Sequence, residues 1–89
     1  MVEPLEVQLD ALRVVTFDGH VLEIFGGAER RFHVKLLTVS VAAPDKKGQR
    51  RVALEQSQRE TDLLLDEDAF ARLQPILDAL RTAGVAFHG

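Results

Sequence analysis

The sequence predicts a mainly β fold closed by one C-terminal α-helix: a small roll or partly open antiparallel barrel. Three observations carry this. Short runs alternate apolar and polar side chains from residue 11 to about residue 65, with turn residues between them. No helical period interrupts those runs, which argues against a βαβ design. The one clear 3.6-residue pattern, DEDAFARLQPILDALRTAG over 66–84, comes last.

The first element is ALRVVTFDGHVLEIF, residues 11–25. Asp18-Gly19 between two β-rich runs predicts a two-residue turn of the primed type, which needs positive φ at both positions. That register sets Phe17 opposite His20 and Val15 opposite Leu22. Val15, Phe17, Leu22 and Ile24 then share the core face, and Val14, Thr16, Val21 and Glu23 the other. Arg13 falls on the apolar side, which suits it only at the rim, where its stem packs and its charge reaches water.

Gly26-Gly27 reads as a second reversal, followed by the strand ERRFHVKL. Phe32, Val34 and Leu36 are predicted to point inward, with Arg31, His33 and Lys35 outward. After Leu36 the apolar phase passes to Leu37, Val39 and Val41, so a bulge or a short turn must intervene, with a new strand from about Thr38. Pro44, Asp45 and Gly48 mark a loop within APDKKGQRR, residues 43–51. Val52 and Leu54 begin the next strand, Ser57–Glu60 reverse it, and TDLLLD ends the sheet region near Leu65. The total is roughly five or six strands with short connections.

In the terminal helix Asp66 is the predicted N-cap, and Glu67 and Asp68 suit the positive end of the dipole. Leu65 and Phe70 are spaced for a hydrophobic staple. Phe70, Leu73, Leu77 and Leu80 form the apolar stripe, with Ala69, Ile76 and Ala83 beside it. Gly84 is the predicted C′ residue. Pro75 removes one backbone hydrogen bond in mid-helix, so a kink, or a loose start that becomes regular after Gln74, is expected. Residues 1–7 read as an N-terminal arm and 85–89 as a tail whose Val85 or Phe87 folds back on the core.

Eighty-nine residues with 46% apolar content make one domain, 1–89, with room for one modest core. Eleven basic against fourteen acidic residues leave a net charge of −3, which argues against wholesale nucleic-acid binding. The absence of cysteine excludes disulfides, thiol catalysis and cysteine-ligated zinc. No run reaches the roughly 20 apolar residues of a membrane span, and the first residues are acidic and unlike a signal peptide. A cytoplasmic protein is expected, with peripheral membrane contact left open.

Phe17-Asp18-Gly19 in the first hairpin, the basic–apolar strand and valine-rich strand of RRFHVKLLTVSV (30–41), the run from Val52 to Leu65 and the stripe of the closing helix together resemble a pleckstrin-homology-like (PH-like) domain of the short bacterial kind. The resemblance covers about residues 8–85. The chain is shorter than the usual seven-stranded form, so residues 4–10 would have to supply a strand. It has no Trp in the closing helix, where Phe70 or Leu73 would fill that volume. The resemblance implies a non-enzymatic binding or scaffold module. Some relatives bind phosphoinositides through basic residues around the first hairpin loop; here that loop, Phe17 to His20, is short and acidic.

Signatures of chemistry are absent from the sequence. His20, His33 and His88 lack the paired spacing of a metal site, so no metal or other cofactor is expected. Asp62, Asp66, Glu67 and Asp68 sit where helix capping accounts for them. Ser40 and Ser57 lack a nucleophile elbow, and Gly26-Gly27 lacks the Lys-Ser/Thr of a phosphate cradle. An enzyme is therefore not expected. The best local candidate for binding is the loop cluster Lys46, Lys47, Arg50 and Arg51, suited to a phosphate or an acidic partner. Arg31 and Lys35 extend it if the sheet brings them near; alternatively they pair with Glu23 across the hairpin. The leading reading is an interaction module for a protein partner or for itself, through an exposed strand edge. The alternative is an anion or phosphate-headgroup module using residues 46–51.

Overall fold

The computed structural model describes residues 4–26 and 30–88. Residues 1–3 of the expected arm, Gly27 of the second reversal, Glu29 at the head of its strand and the terminal Gly89 lie outside the described residues. Among the described residues eight strands and one helix follow one another as β1 (Leu5–Gln8), β2 (Val14–Phe17), β3 (Val21–Phe25), β4 (Arg30–His33), β5 (Leu37–Val41), β6 (Arg50–Gln56), β7 (Arg59–Leu65), α1 (Glu67–Thr82) and β8 (Ala86–His88). They build two four-stranded sheets, ordered β1-β2-β3-β4 and β7-β6-β5-β8. The result is a partly open β-sandwich with a C-terminal helix, and the barrel is not closed.

Parts of the expected arm and tail, residues 5–7 and 86–88, enter the sheets. β1 pairs antiparallel with β2, so residues 4–10 do supply a strand. β8 pairs with β5 in parallel, the one parallel ladder among the described residues, in sheets that the sequence predicted as wholly antiparallel.

The first hairpin differs from its predicted register. Phe17 faces Leu22 and Val15 faces Ile24, a register shift of two, with Asp18 to His20 connecting β2 to β3. One carboxylate oxygen of Asp18 accepts the backbone N–H groups of both His20 and Val21 at 2.8 Å. This side-chain turn replaces the predicted two-residue backbone turn. A shift by an even number keeps every side chain on its face. Val15, Phe17, Leu22 and Ile24 are accordingly all buried. The two-residue turn with positive φ occurs elsewhere, at Ser57 (φ 51°) and Gln58 (φ 70°), closed by the pair Gln56 and Arg59.

Gly26 is set by its neighbours: its φ is +103°, and a Cβ there would lie 1.7 Å from the carbonyl oxygen of Leu12. Arg13 takes the rim position that its place on the apolar side requires, pairing with Asp10 at 2.7 Å and donating to the Leu64 carbonyl at 3.3 Å.

The chain leaves the first sheet through a turn at 34–36 and starts β5 at Leu37. Here Leu36 departs from its predicted inward place. It lies in the turn and is 56% exposed, while Leu37 is buried. The strand ends at His33 because the backbone must turn there to reach the second sheet.

α1 is one helix across Pro75, with no loose start: Asp66 caps it by accepting the Ala69 N–H at 2.7 Å. Ala69, Leu73, Ile76, Leu77 and Leu80 are buried. Phe70 is only partly buried, and Ala83, expected beside the stripe, is exposed. At the C-terminus Gly84 (φ +91°) donates to the Arg81 carbonyl and Val85 to that of Leu80, a Schellman cap. The helix packs against β1, β2 and β7, so it fills the gap between the edge strand of one sheet and that of the other. Arg72 fastens it by donating to the Leu9 carbonyl at 3.0 Å. No helix among the described residues is long and apolar enough to cross a membrane.

Candidate functional site

The helix closes one side of the sandwich. On the other side β4 is the edge strand of its sheet, pairing with β3 alone among the described strands. One clamp joins it to the second sheet at its C-terminal end: the His33 N–H donates to the Gln56 side-chain oxygen at 2.8 Å. Beyond that clamp the seam opens into a cleft of about 520 Å³ between β4 and the β6–β7 hairpin, with Phe32 at its wall.

Three arginines border this cleft: Arg30 and Arg59 share the inward phase of Phe32 and Leu63, while Arg31, of opposite phase, borders it from the outer face. Arg30 and Arg31 come from β4, and Arg59 from the first position of β7. Gln56 and Thr61 add an amide and a hydroxyl, and Glu60 a carboxylate. The period of two explains Arg59 and Thr61. They share the inward face with Leu63 and Leu65 but lie beyond the end of the core, where polar groups reach water. Arg31 pairs with Glu23, its direct cross-strand neighbour, at 3.5 Å. Both side chains are solvent-accessible, so this pair holds Arg31 weakly. Arg59 forms no ion pair among the described residues.

Glu60 turns its charge elsewhere. A hydrogen bond with Asp62, followed by the charges of Asp62 and Glu55, holds its carboxyl above the usual carboxylate range. Glu55 is its direct partner on β6. Glu55, Glu60 and Asp62 thus share the outer face of the β6–β7 hairpin, with Arg51 pairing Asp62 at 3.8 Å. Asp62 belongs to this strand face and not to the helix start that the sequence suggested.

The six candidates named from the sequence are dispersed. Lys46 and Lys47 are exposed in the loop before β6. That loop commits its own amides: Asp45 accepts the N–H of Lys47 at 2.8 Å and of Gln49 at 2.9 Å with one oxygen. Arg50 and Arg51 are neighbours on a strand and so point to opposite faces. Arg50 lies over the Phe70 ring at 4.5 Å, whereas Arg51 is on the outer face with Asp62. Lys35 is exposed in the 34–36 turn, where its N–H donates to Nδ1 of His33 at 3.2 Å. Arg31 alone of the six reaches the cleft. Sequence reading missed Arg30, Arg59, Gln56 and Thr61. The turn at Ser57-Gln58 was the available signal, since placing it there puts Arg59 and Thr61 in phase with Leu63.

His20, His33 and His88 are exposed at three different places, and no group of three His, Asp or Glu side chains among the described residues is gathered as a metal ion would require. Comparison of the chain with protein-family models, curated proteins and solved structures found no match.

Proposed function

We propose that this chain is a non-enzymatic interaction module of PH-like architecture that holds an acidic polypeptide partner in the cleft between β4 and the β6–β7 hairpin. The observation that carries the reading is the placing of Arg30 and Arg59 about one cleft at an edge strand, with Arg31 at its outer rim. Guanidinium groups are suited to carboxylates because their planar forks match the two oxygens. An edge strand adds main-chain donors and acceptors. In an antiparallel ladder alternate residues point their N–H and C=O to opposite sides. The His33 N–H points away from β3 to Gln56 while the Val34 N–H bonds back to His20, so the backbone groups of Arg31 share the outward direction of His33. An extended acidic segment meets both features at once.

Seven antiparallel strands followed by a helix across the open side agree with the PH-like resemblance. The loops at 18–21 and 45–49 are less suited to a phosphate, because an aspartate of each already accepts two of its amide groups. A second copy of the chain qualifies as the partner, through the acidic outer face at Glu55, Glu60 and Asp62.

The test is fluorescence anisotropy with a labelled ten-residue peptide of alternating Glu and Val. Binding is expected to weaken steeply as salt rises. Arg59→Glu should weaken it by roughly tenfold or more, as loss of one charge-assisted contact implies. Lys47→Glu should leave it nearly unchanged. Equal binding by Arg59→Glu and the parent, or loss with Lys47→Glu alone, defeats the reading. Light scattering on the unliganded chain separates self-capture from a foreign partner.

A further inference from the structure

A second cationic feature lies away from the cleft. Between α1 and the β5–β8 side of the second sheet runs a groove of about 540 Å³. Two arginines line it, and each stacks on a phenylalanine that also lines it: Arg50 on Phe70 and Arg81 on Phe87, both at 4.5 Å from guanidinium carbon to ring centroid. Val41, Ala42 and Ala43 add small apolar side chains to its lining, and His88 an imidazole.

We propose that this groove is a separate binding site for a small dicarboxylate, its two acid groups joined by a short apolar spacer. A guanidinium laid over a ring uses its π face for the ring, while its N–H donors stay in its plane. Stacking also restricts the side chain before any ligand arrives, so less entropy is lost on binding. Two such forks in one groove, with small apolar side chains in its lining, match a molecule with a carboxylate at each end and methylene groups between. A monocarboxylate satisfies only one fork.

Two nearby features bear on the charge balance. Asp78 lies 3.5 Å from Nη1 of Arg81, but both side chains are more than half exposed, so this pair is readily replaced. Arg81 also sits in the last turn of α1, whose negative dipole end disfavours anions. There the carbonyls of Ala79, Leu80 and Arg81 already accept the N–H groups of Ala83, Val85 and Gly84, which blunts that end. Arg50 has no ion pair among the described residues.

The experiment is a titration of the ¹⁵N-labelled chain with glutarate, adipate and suberate, and with hexanoate as the one-headed control, followed by amide chemical shifts. Saturable shifts are expected at residues 41–43, 50, 70, 81 and 87. One dicarboxylate length should bind about tenfold or more tighter than hexanoate, as a second charge-assisted fork implies. Arg50→Gln and Arg81→Gln should each reduce that dicarboxylate to the level of hexanoate. Equal affinity for one-headed and two-headed acids overturns the proposal, as do shifts centred on Arg30, Arg31 and Arg59. The wild-type comparison decides the matter even if a variant folds poorly. It is also independent of the β4 cleft, which Arg59→Glu removes without touching this groove.

Discussion

The backbone N–H of His33 donates to the side-chain oxygen of Gln56, and this one bond of 2.8 Å spans the seam between the two sheets beside the cleft. Gln56 is the last residue of β6 and His33 the last of β4, so the contact ties two strand ends that share no ladder. Gln56→Ala removes the acceptor and leaves the His33 amide to water. The expected loss is about 1 kcal/mol, the usual net worth of such a bond. Urea unfolding should give that figure, and the His33 amide should exchange with solvent faster than those of β3. Protection of His33 unchanged in the variant would show that the seam is held by something else.

Gly26 and Gly84 make a matched pair for backbone strain. Both have positive φ, +103° and +91°. A Cβ at Gly84 meets open space, whereas one at Gly26 lands 1.7 Å from the Leu12 carbonyl oxygen, a backbone atom that cannot swing aside. Gly84→Ala should therefore cost about 1–2 kcal/mol, the ordinary penalty of a left-handed residue. Gly26→Ala adds a clash between β3 and the turn before β2, and should cost clearly more, about 3 kcal/mol or beyond. Thermal unfolding of the two variants side by side tests the order. Equal losses would mean that the 9–13 turn yields without cost.

The Ser57-Gln58 turn is strained in a correctable way. Both residues hold positive φ, which the two-residue primed turn demands and which Asn-Gly meets at lower cost. Gln58→Gly keeps the turn and removes one left-handed side chain. A gain of about 1 kcal/mol is expected, offset in part by the greater freedom of glycine in the unfolded chain. The rise should appear in the urea midpoint with an unchanged slope. A fall would show that the Gln58 side chain has a structural role not visible in its hydrogen bonds.

The placement of this turn also shows what the sequence could and could not convey. The inward faces of β2 and β3 were legible because the error in the first hairpin was an even shift, and parity alone decides which side chains are buried. The stripe Leu73, Leu77 and Leu80 was legible because a helical period needs no knowledge of its partner. Leu36 was misplaced because a strand pattern says nothing about where a chain must turn to cross between sheets. β8 was hidden because three residues, Ala-Phe-His, carry too little period to read. The cleft was hidden for a deeper reason. Arg30 and Arg59 border one cleft only through the packing of one sheet on the other, and that juxtaposition has no local signature. The basic loop at 46–51 stood out in the sequence because its charges are consecutive, yet a strand sends consecutive residues to opposite faces.

Two carboxylates should pull the acid stability of the fold in opposite directions. Asp10 accepts from the Arg13 side chain and from the backbone of Leu12 and Arg13, which lowers its pKa from 3.8 to about 2. A folded-state pKa below the unfolded value means that the unfolded chain binds the proton more readily. The stabilisation is present above pH 3.8 and is lost as pH falls toward 2. Glu60 has the reverse sign: Asp62 and Glu55 raise its folded pKa above the ordinary 4.5. It favours the folded state below that value and loses this contribution as pH rises through the raised pKa. At neutral pH Glu60→Gln should therefore raise the melting temperature, because two like charges no longer face each other across β6 and β7. The advantage should shrink as pH falls below 4.5, where the parent carboxyl is itself protonated. Asp10→Asn should lower the melting temperature at neutral pH and flatten the acid limb between pH 3.8 and about 2. Melting curves of parent and variants at each pH test both signs. A Glu60→Gln variant less stable than the parent at pH 7 would mean that the carboxylate has a favourable partner, with Arg59 in the cleft the first to examine.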